Sequence, residues 1–213
     1  ANAFGNYNVK HGDLIKGQSS FAVYDSILGW VGNLDFMVPN RGYMFKSGKA
    51  DTLIYPKSAI IGLKNGNDVP SKEVEELHLA YGVTPEVYQS NENILARVNF
   101  CEGDLQEGTL LAYVGDEVRG TANIKNGKAY LTVYSNTEND ELTFKVKDRF
   151  GSTYNAVNKI NYSMNGVLGT TANPYEICTL NVNEEELKDG QGYVMPKSTV
   201  IQDEITLNYY FEK

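Results

Sequence analysis

Residue types that most often carry chemistry are scarce in this sequence. Two histidines, two cysteines and one tryptophan occur among 213 residues. His11 and His78 fall in different predicted units, and no cluster of Cys, His, Asp and Glu surrounds either, whereas a zinc site needs about three or four protein ligands. No nucleophile elbow or comparable catalytic motif is present. We therefore expect both histidines to be ordinary surface residues, and the chain not to be an enzyme.

Long apolar runs and clustered positive charge are also missing. No stretch of about 18 apolar residues occurs, so the sequence predicts no membrane-spanning helix. Lysine and arginine number 19 against 27 aspartates and glutamates, which gives a formal net charge of −8. That charge repels a phosphate backbone, and no stripe of basic residues overrides it locally. The sequence therefore predicts a protein that does not bind nucleic acid.

The two cysteines, Cys101 and Cys178, lie at the ends of two predicted strands. If those strands are neighbours, a disulfide is possible; if they are not, both residues are small buried hydrophobes. Neither cysteine lies in a CxxC motif or beside a histidine. Redox and metal-binding roles are therefore not expected of them.

What the chain has in quantity is strand-forming sequence. It contains 15 tyrosines against 8 phenylalanines, and tyrosine suits half-buried β surface. Alternating apolar and polar runs recur beyond residue 94 at roughly the 8–12-residue spacing of an all-β domain, and Asn126-Gly127 is a strong hairpin signal. The chain is therefore predicted to be mainly β, with an antiparallel sandwich of the immunoglobulin or jelly-roll kind. The predicted strands are residues 94–100, 109–114, 120–124, 128–134, 141–147, 156–162 and 175–182.

The pattern divides the chain into three parts. Residues 1–66 read as a small β module, 67–84 as a linker with one short helix near 71–80, and 85–213 as the sandwich domain. Val74, Leu77 and Tyr81 share one helical face, and Ser71 is a suitable N-cap. The last strand, residues 204–211, alternates so strongly that it must pair within this protein or with a neighbour.

Two groups of motifs resemble a recurring pattern in known proteins. In the first, residues 13–16 and 21–24 precede GWVGNL at 29–34 and PNRGYM at 39–44. In the second, residues 83–88 and 94–98 precede AYVGDEVRG at 112–120, YLTVY at 130–134 and NPY at 173–175. Together they cover roughly residues 10–180 and resemble the tandem β modules of large secreted, multidomain surface proteins of the Bacteroidetes type.

The resemblance implies a secreted or cell-surface location and a β-sandwich, and it supplies no catalytic residues. This sequence departs from the pattern in two places. No opening strand precedes Asp13, which suggests that Ala1 follows a cleavage or a fragment boundary. Val118 replaces a cysteine often found there, which removes one potential partner for Cys101 or Cys178.

Two groups of residues are candidates for ligand binding. Asp116, Glu117 and Arg119 lie between Gly115 and Gly120, which indicates a turn whose adjacent carboxylates point in different directions rather than across a catalytic cleft. The second group is aromatic. Trp30, Tyr43 and Phe45 either stack on sugar rings or form the core of a small module that must bury the bulk it has, and we favour the core.

Two kinds of modification or ion site are also considered. Residues 136–140 and 183–189 are rich in oxygen ligands but lack EF-hand spacing, so no cofactor is expected and calcium stays only an alternative. Ser26, in Asp25-Ser26-Ile27, and Thr52, in Asp51-Thr52-Leu53, resemble the Asp-Ser/Thr-apolar O-glycosylation acceptors of such bacteria.

These observations favour one function and leave an alternative open. The chain is expected to be a non-catalytic binding or adhesion module within a larger secreted or cell-surface protein. The alternative is a carbohydrate-binding module attached to a glycan-processing enzyme. Its partner, protein or glycan, is not identified by the sequence.

Overall fold

The computed structural model describes residues 4, 7–37, 41–52, 72–100 and 103–183. This part of the chain is mainly β, with a small four-stranded sheet and a separate, larger sheet. Its one α-helix, α1, spans Lys72–Tyr81. The predictions of a mainly β chain with a short helix at this position are therefore confirmed. No helix in the described ranges is long and apolar enough to cross a membrane.

The small sheet has four strands in the order Gly29–Gly32, Phe21–Asp25, Leu14–Lys16 and Met44–Lys46, and each neighbouring pair is antiparallel. Alternation gives it two buried faces. One face packs against an aromatic cluster of its own, built around Phe4, Tyr7 and Ile15. The other face lies against the larger sheet. The strands are β1 (Leu14–Lys16), β2 (Phe21–Asp25), β3 (Gly29–Gly32) and β4 (Met44–Lys46).

The larger sheet begins after α1 and a 3-10 turn at Pro85–Val87. All seven strands predicted beyond residue 94 are present, each within a few residues of its expected bounds. Two short strands, Gly103–Asp104 and Val167–Leu168, were not predicted, since two residues carry no detectable alternation. The strands are β5 (Ser90–Phe100), β6 (Gly103–Asp104), β7 (Glu107–Val114), β8 (Glu117–Lys125), β9 (Lys128–Ser135), β10 (Glu141–Asp148), β11 (Thr153–Asn161), β12 (Val167–Leu168) and β13 (Tyr175–Asn183).

The sandwich prediction is wrong, because this sheet closes into a seven-stranded barrel. The closing element is β5, which is 11 residues long and is paired along both edges. Its first eight residues pair antiparallel with β9, and its last five pair with β13. The β5–β13 pairing is parallel, so the expectation of a purely antiparallel sheet also fails there. A closed barrel leaves no open sheet edge at this seam.

The barrel interior holds the main core. Leu142, Phe144 and Val146, the predicted inward face of β10, are at most 1% exposed and lie in this core. On β9, Leu131 and Val133 point inward. The intervening residues of β9 therefore face outward, which places Tyr130 on the barrel's outer surface beneath the small sheet.

Candidate functional site: the cleft between the two sheets

The junction between the small sheet and the barrel is built around Phe21. This side chain is fully buried, and with Leu14 and Leu95 it forms an apolar cluster that spans both units. Its ring meets Tyr130 edge-on, with centroids 6.2 Å apart. Asn33 adds a polar contact, donating from Nδ2 to the Tyr130 carbonyl oxygen at 3.3 Å. The junction therefore has a packed core of its own.

Lys16 is buried at the same junction and is 3% exposed. Its Nζ donates to the backbone oxygen of Asn91 at 3.3 Å, to Asn91 Oδ1 at 2.7 Å and to Asn165 Oδ1 at 3.0 Å. These three bonds use all the donors of an ammonium group. Burial lowers the pKa of Lys16 to about 8, and the positive charge of Lys46 acts in the same direction. The side chain thus ties the small sheet to two parts of the barrel.

The Asp25 carboxylate fixes the turn between β2 and β3. Its Oδ1 accepts the backbone amides of Ile27 at 2.8 Å and Leu28 at 3.0 Å, and its Oδ2 accepts the Thr171 hydroxyl from the barrel. The Thr171 hydrogen bond, followed by those of the two amides, lowers the pKa of Asp25 to about 2. Ile27 and Leu28 are nevertheless 90% and 67% exposed. The turn therefore presents two large aliphatic side chains on a fixed backbone.

A small cleft with a cavity volume of about 30 Å³ opens beside this turn, between the small sheet and the barrel. This volume is on the scale of one water molecule and far below the roughly 300–1,000 Å³ of small-ligand sites. Most of its lining residues are apolar or aromatic, and Thr170, Thr171 and Lys128 add polar groups. The lining residues are Leu28, Val31, Leu95, Ala96, Lys128, Tyr130, Thr170, Thr171 and Pro174.

The loop that carries Thr170 and Thr171 begins at Gly169, which has a φ of +79°. A Cβ at this position would lie 2.3 Å from the Leu95 carbonyl oxygen. We expect Gly169→Ala to lower the free energy of unfolding by about 2–4 kcal/mol, because left-handed strain and a backbone collision add. Gly29→Ala is the matched control: its φ is +78° but nothing lies within 4 Å, so a loss of only about 1 kcal/mol is expected. Equal losses in urea denaturation would contradict the collision argument.

The predicted aromatic residues lie in the cluster of the small sheet, away from the cleft. The Trp30 ring stacks on Phe4, with centroids 4.8 Å apart and planes at 19°. Phe45 meets Phe4 at 5.0 Å, and Tyr43 packs against the same cluster. All three are partly buried. Their placement corresponds to the core interpretation favoured above.

The predicted polar group is placed in the β7–β8 hairpin, on another side of the barrel. Asp116 is exposed in its turn. Arg119 pairs with Glu117 at 3.0 Å and covers the Tyr88 ring, with its guanidinium carbon 4.7 Å from the centroid. The Tyr88 hydroxyl donates to Glu117 at 2.7 Å. Glu117, Arg119 and Tyr88 therefore connect the chain before β5 to the hairpin, although the buried Nε of Arg119 has no hydrogen-bond partner among the described residues.

The remaining predicted sites are placed as follows. Ser26 and Thr52 are both exposed, as an acceptor for a sugar must be. Cys178 lies on β13 opposite Asn99 of β5, so the strands that precede Cys101 and carry Cys178 are neighbours, as a disulfide would require. Cys101 itself, the 204–211 strand and most of 183–189 lie outside the described residues.

Ion sites were sought among the described residues only. No group of three or more His, Cys, Asp or Glu side chains there is arranged to hold a metal ion. In the loop at 136–140, Asn136 accepts the Gln89 amide at 2.7 Å and the Asp140 carboxylate accepts the Ser135 hydroxyl. These oxygens are engaged within the protein. The calcium alternative remains a prediction.

The prediction that both histidines lie on the surface is wrong for His78. His11 is exposed and lies 3.8 Å from the Asp25 carboxylate. His78 is 4% exposed, because its face of α1 packs against the barrel. When an amphipathic helix has few large apolar residues, it also buries the polar side chains on the face that packs against the protein. In α1 one of these side chains is the imidazole of His78.

Sequence reasoning missed Lys16 and Asp25, the two charged residues that hold the junction beside the cleft, although one signal was present. In β1 and β2, Lys16 and Asp25 occupy the same alternating positions as Leu14 and Phe21. A charged residue on the same face of a strand as apolar residues is expected either to lie at the edge of that face or to have a specific partner.

No family model matches this sequence, and no curated protein or solved structure is significantly similar to it.

Proposed function

We propose that this chain is a non-catalytic, extracytoplasmic binding module and that its ligand is another protein. The observation that carries the proposal is the exposure of Ile27 and Leu28 on a turn fixed by Asp25. Exposing adjacent aliphatic side chains on a pre-organised backbone is unfavourable for a free protein but lowers the entropy cost of binding a partner. The extracytoplasmic location rests on the sequence resemblance.

The chemistry of the surface favours a protein over a glycan. Sugar sites depend on exposed aromatic faces surrounded by hydrogen-bonding groups, whereas Ile27 and Leu28 offer only aliphatic contact. The adjoining cleft, lined in part by Val31, Tyr130 and Pro174, extends the apolar surface beside the turn. Lys128 adds a charged group to its lining, whereas the hydroxyls of Thr170 and Thr171 are engaged with Asn173 and Asp25.

The test is binding of the purified chain to an array of purified cell-surface and extracellular proteins and, in parallel, to a glycan array. We expect a protein hit whose affinity falls at least tenfold in the double variant Ile27→Ser/Leu28→Ser, because a buried aliphatic contact is worth about 1.5–3 kcal/mol per side chain. Phe150→Ser is the matched control, since Phe150 is 79% exposed on a different hairpin.

Two outcomes would contradict the proposal. One is a protein hit that the turn variant leaves unchanged or that Phe150→Ser weakens equally. The other is selective glycan binding that responds to substitution of Trp30 or Tyr43, which would support the carbohydrate-binding alternative instead.

A further inference from the structure

The helix α1 packs against the outer face of the barrel strand β8, and His78 lies in that contact. Its ring meets Tyr134 of β9 edge-on, with centroids 5.7 Å apart and planes at 81°. The Nε2 atom is buried and has no hydrogen-bond partner within the described ranges. A neutral imidazole tolerates this position because one ring nitrogen carries no hydrogen.

Charged groups face His78 from several elements. Glu75 of the same helix and Glu86 of the 3-10 turn both favour a positive imidazole. On β8, the Arg119 guanidinium is engaged with Glu117. Burial outweighs the two carboxylates and lowers the pKa of His78 below that of a free histidine.

We infer that protonation of His78 releases α1 from the barrel, so that docking of this helix is sensitive to pH. An imidazolium carries an N–H on both nitrogens, and here Nε2 would point it at no acceptor. A buried charge with an unmet donor is costly, and moving the helix into water removes that cost. The other contacts of the helix are weak: Val74, Leu77 and Tyr81 are only partly buried, and the ion pair of Glu75 with Arg41, at 3.4 Å, is exposed.

The direction of the effect follows from proton linkage. The undocked helix binds the proton at the ordinary pKa of histidine, whereas the docked helix binds it more weakly. The docked state is therefore fully favoured above that pKa and loses stability as the pH falls through it. Undocking also removes His78 from its edge-on contact with the Tyr134 ring, which is 1% exposed in the docked state, while Tyr88 stays stacked on that ring. Acidification thus exposes the part of this ring that His78 covers.

Hydrogen exchange on the full chain at pH 7 and pH 5, corrected for intrinsic exchange rates, tests this switch. If the docked state excludes the proton entirely, the opening equilibrium of the amides at 74–81 rises up to about 25-fold between these values. We expect a rise of at least about fivefold in the wild type.

The variants His78→Phe and His78→Gln remove the titration and should show less than a twofold change, whereas His11→Gln should behave as the wild type. The proposal is overturned if the opening equilibrium of the wild type changes less than twofold, or if it rises equally in both His78 variants. The His78 pKa measured by NMR gives an independent reading that does not depend on how the variants fold. A value at or above that of a free histidine also overturns it.

Discussion

Replacing Phe21 with alanine is expected to lower the free energy of unfolding by about 3–5 kcal/mol, the usual cost of removing a buried aromatic ring. Phe21 is fully buried and connects Leu14 of the small sheet with Leu95 and Tyr130 of the barrel. The loss should appear in urea denaturation followed by circular dichroism. Fluorescence of Trp30, the only tryptophan, reports on the small sheet in the same experiment.

Ile27→Ala is the control for Phe21→Ala. Ile27 lies on the same hairpin but is 90% exposed, so its truncation should change stability by no more than about 0.5 kcal/mol. A Phe21→Ala variant that loses less than about 1 kcal/mol would contradict the packing described here. It would mean that the small sheet and the barrel do not share a core.

Lys16→Met is expected to lower the free energy of unfolding by about 2–4 kcal/mol at pH 7. Methionine keeps most of the stem but leaves two oxygens of the half-buried Asn91 and one of the exposed Asn165 without their donor. Losing a hydrogen bond from a charged group costs about 1.5–3 kcal/mol, in part offset by the relief of burying an ammonium. With a pKa of about 8, Lys16 is mostly charged at pH 7. The measurement is equilibrium urea unfolding.

Lys46→Met is the matched control for Lys16→Met. Lys46 lies on the neighbouring strand β4, opposite Leu14, and is exposed. Its replacement should change stability by no more than about 0.5 kcal/mol. Equal stability of the wild type and Lys16→Met would show that the ammonium contributes nothing beyond its own desolvation cost.

Local features of the fold were predictable because they depend on neighbouring residues. Alternation along 141–147 and the turn residues Asn126-Gly127 specify strands and a hairpin within a few residues of chain. The helix at 71–80 followed from one apolar stripe. The aromatic cluster around Trp30 followed from the need of a small unit to bury its largest side chains.

The candidate site was beyond the reach of such reasoning. Alternation shows that Lys16 and Asp25 share a face with Leu14 and Phe21, but not what that face meets. Their partners, Asn165 and Thr171, lie roughly 150 residues further along the chain, and Asn91 lies 75 residues away. Only the docking of two units brings these groups together.

By itself the sequence determined a mainly β chain, its acidic charge, the position of its helix and most of its strands. These properties follow from residue type and from the spacing of apolar residues, which repeats every two residues in a strand and every 3.6 in a helix. The tertiary structure decided the rest: the closure of the barrel by parallel pairing of β5 with β13, the burial of His78 and the cleft beside Asp25. Each of these is a contact between segments that are distant in the sequence. The residues of a strand do not show which other strand pairs with its second edge.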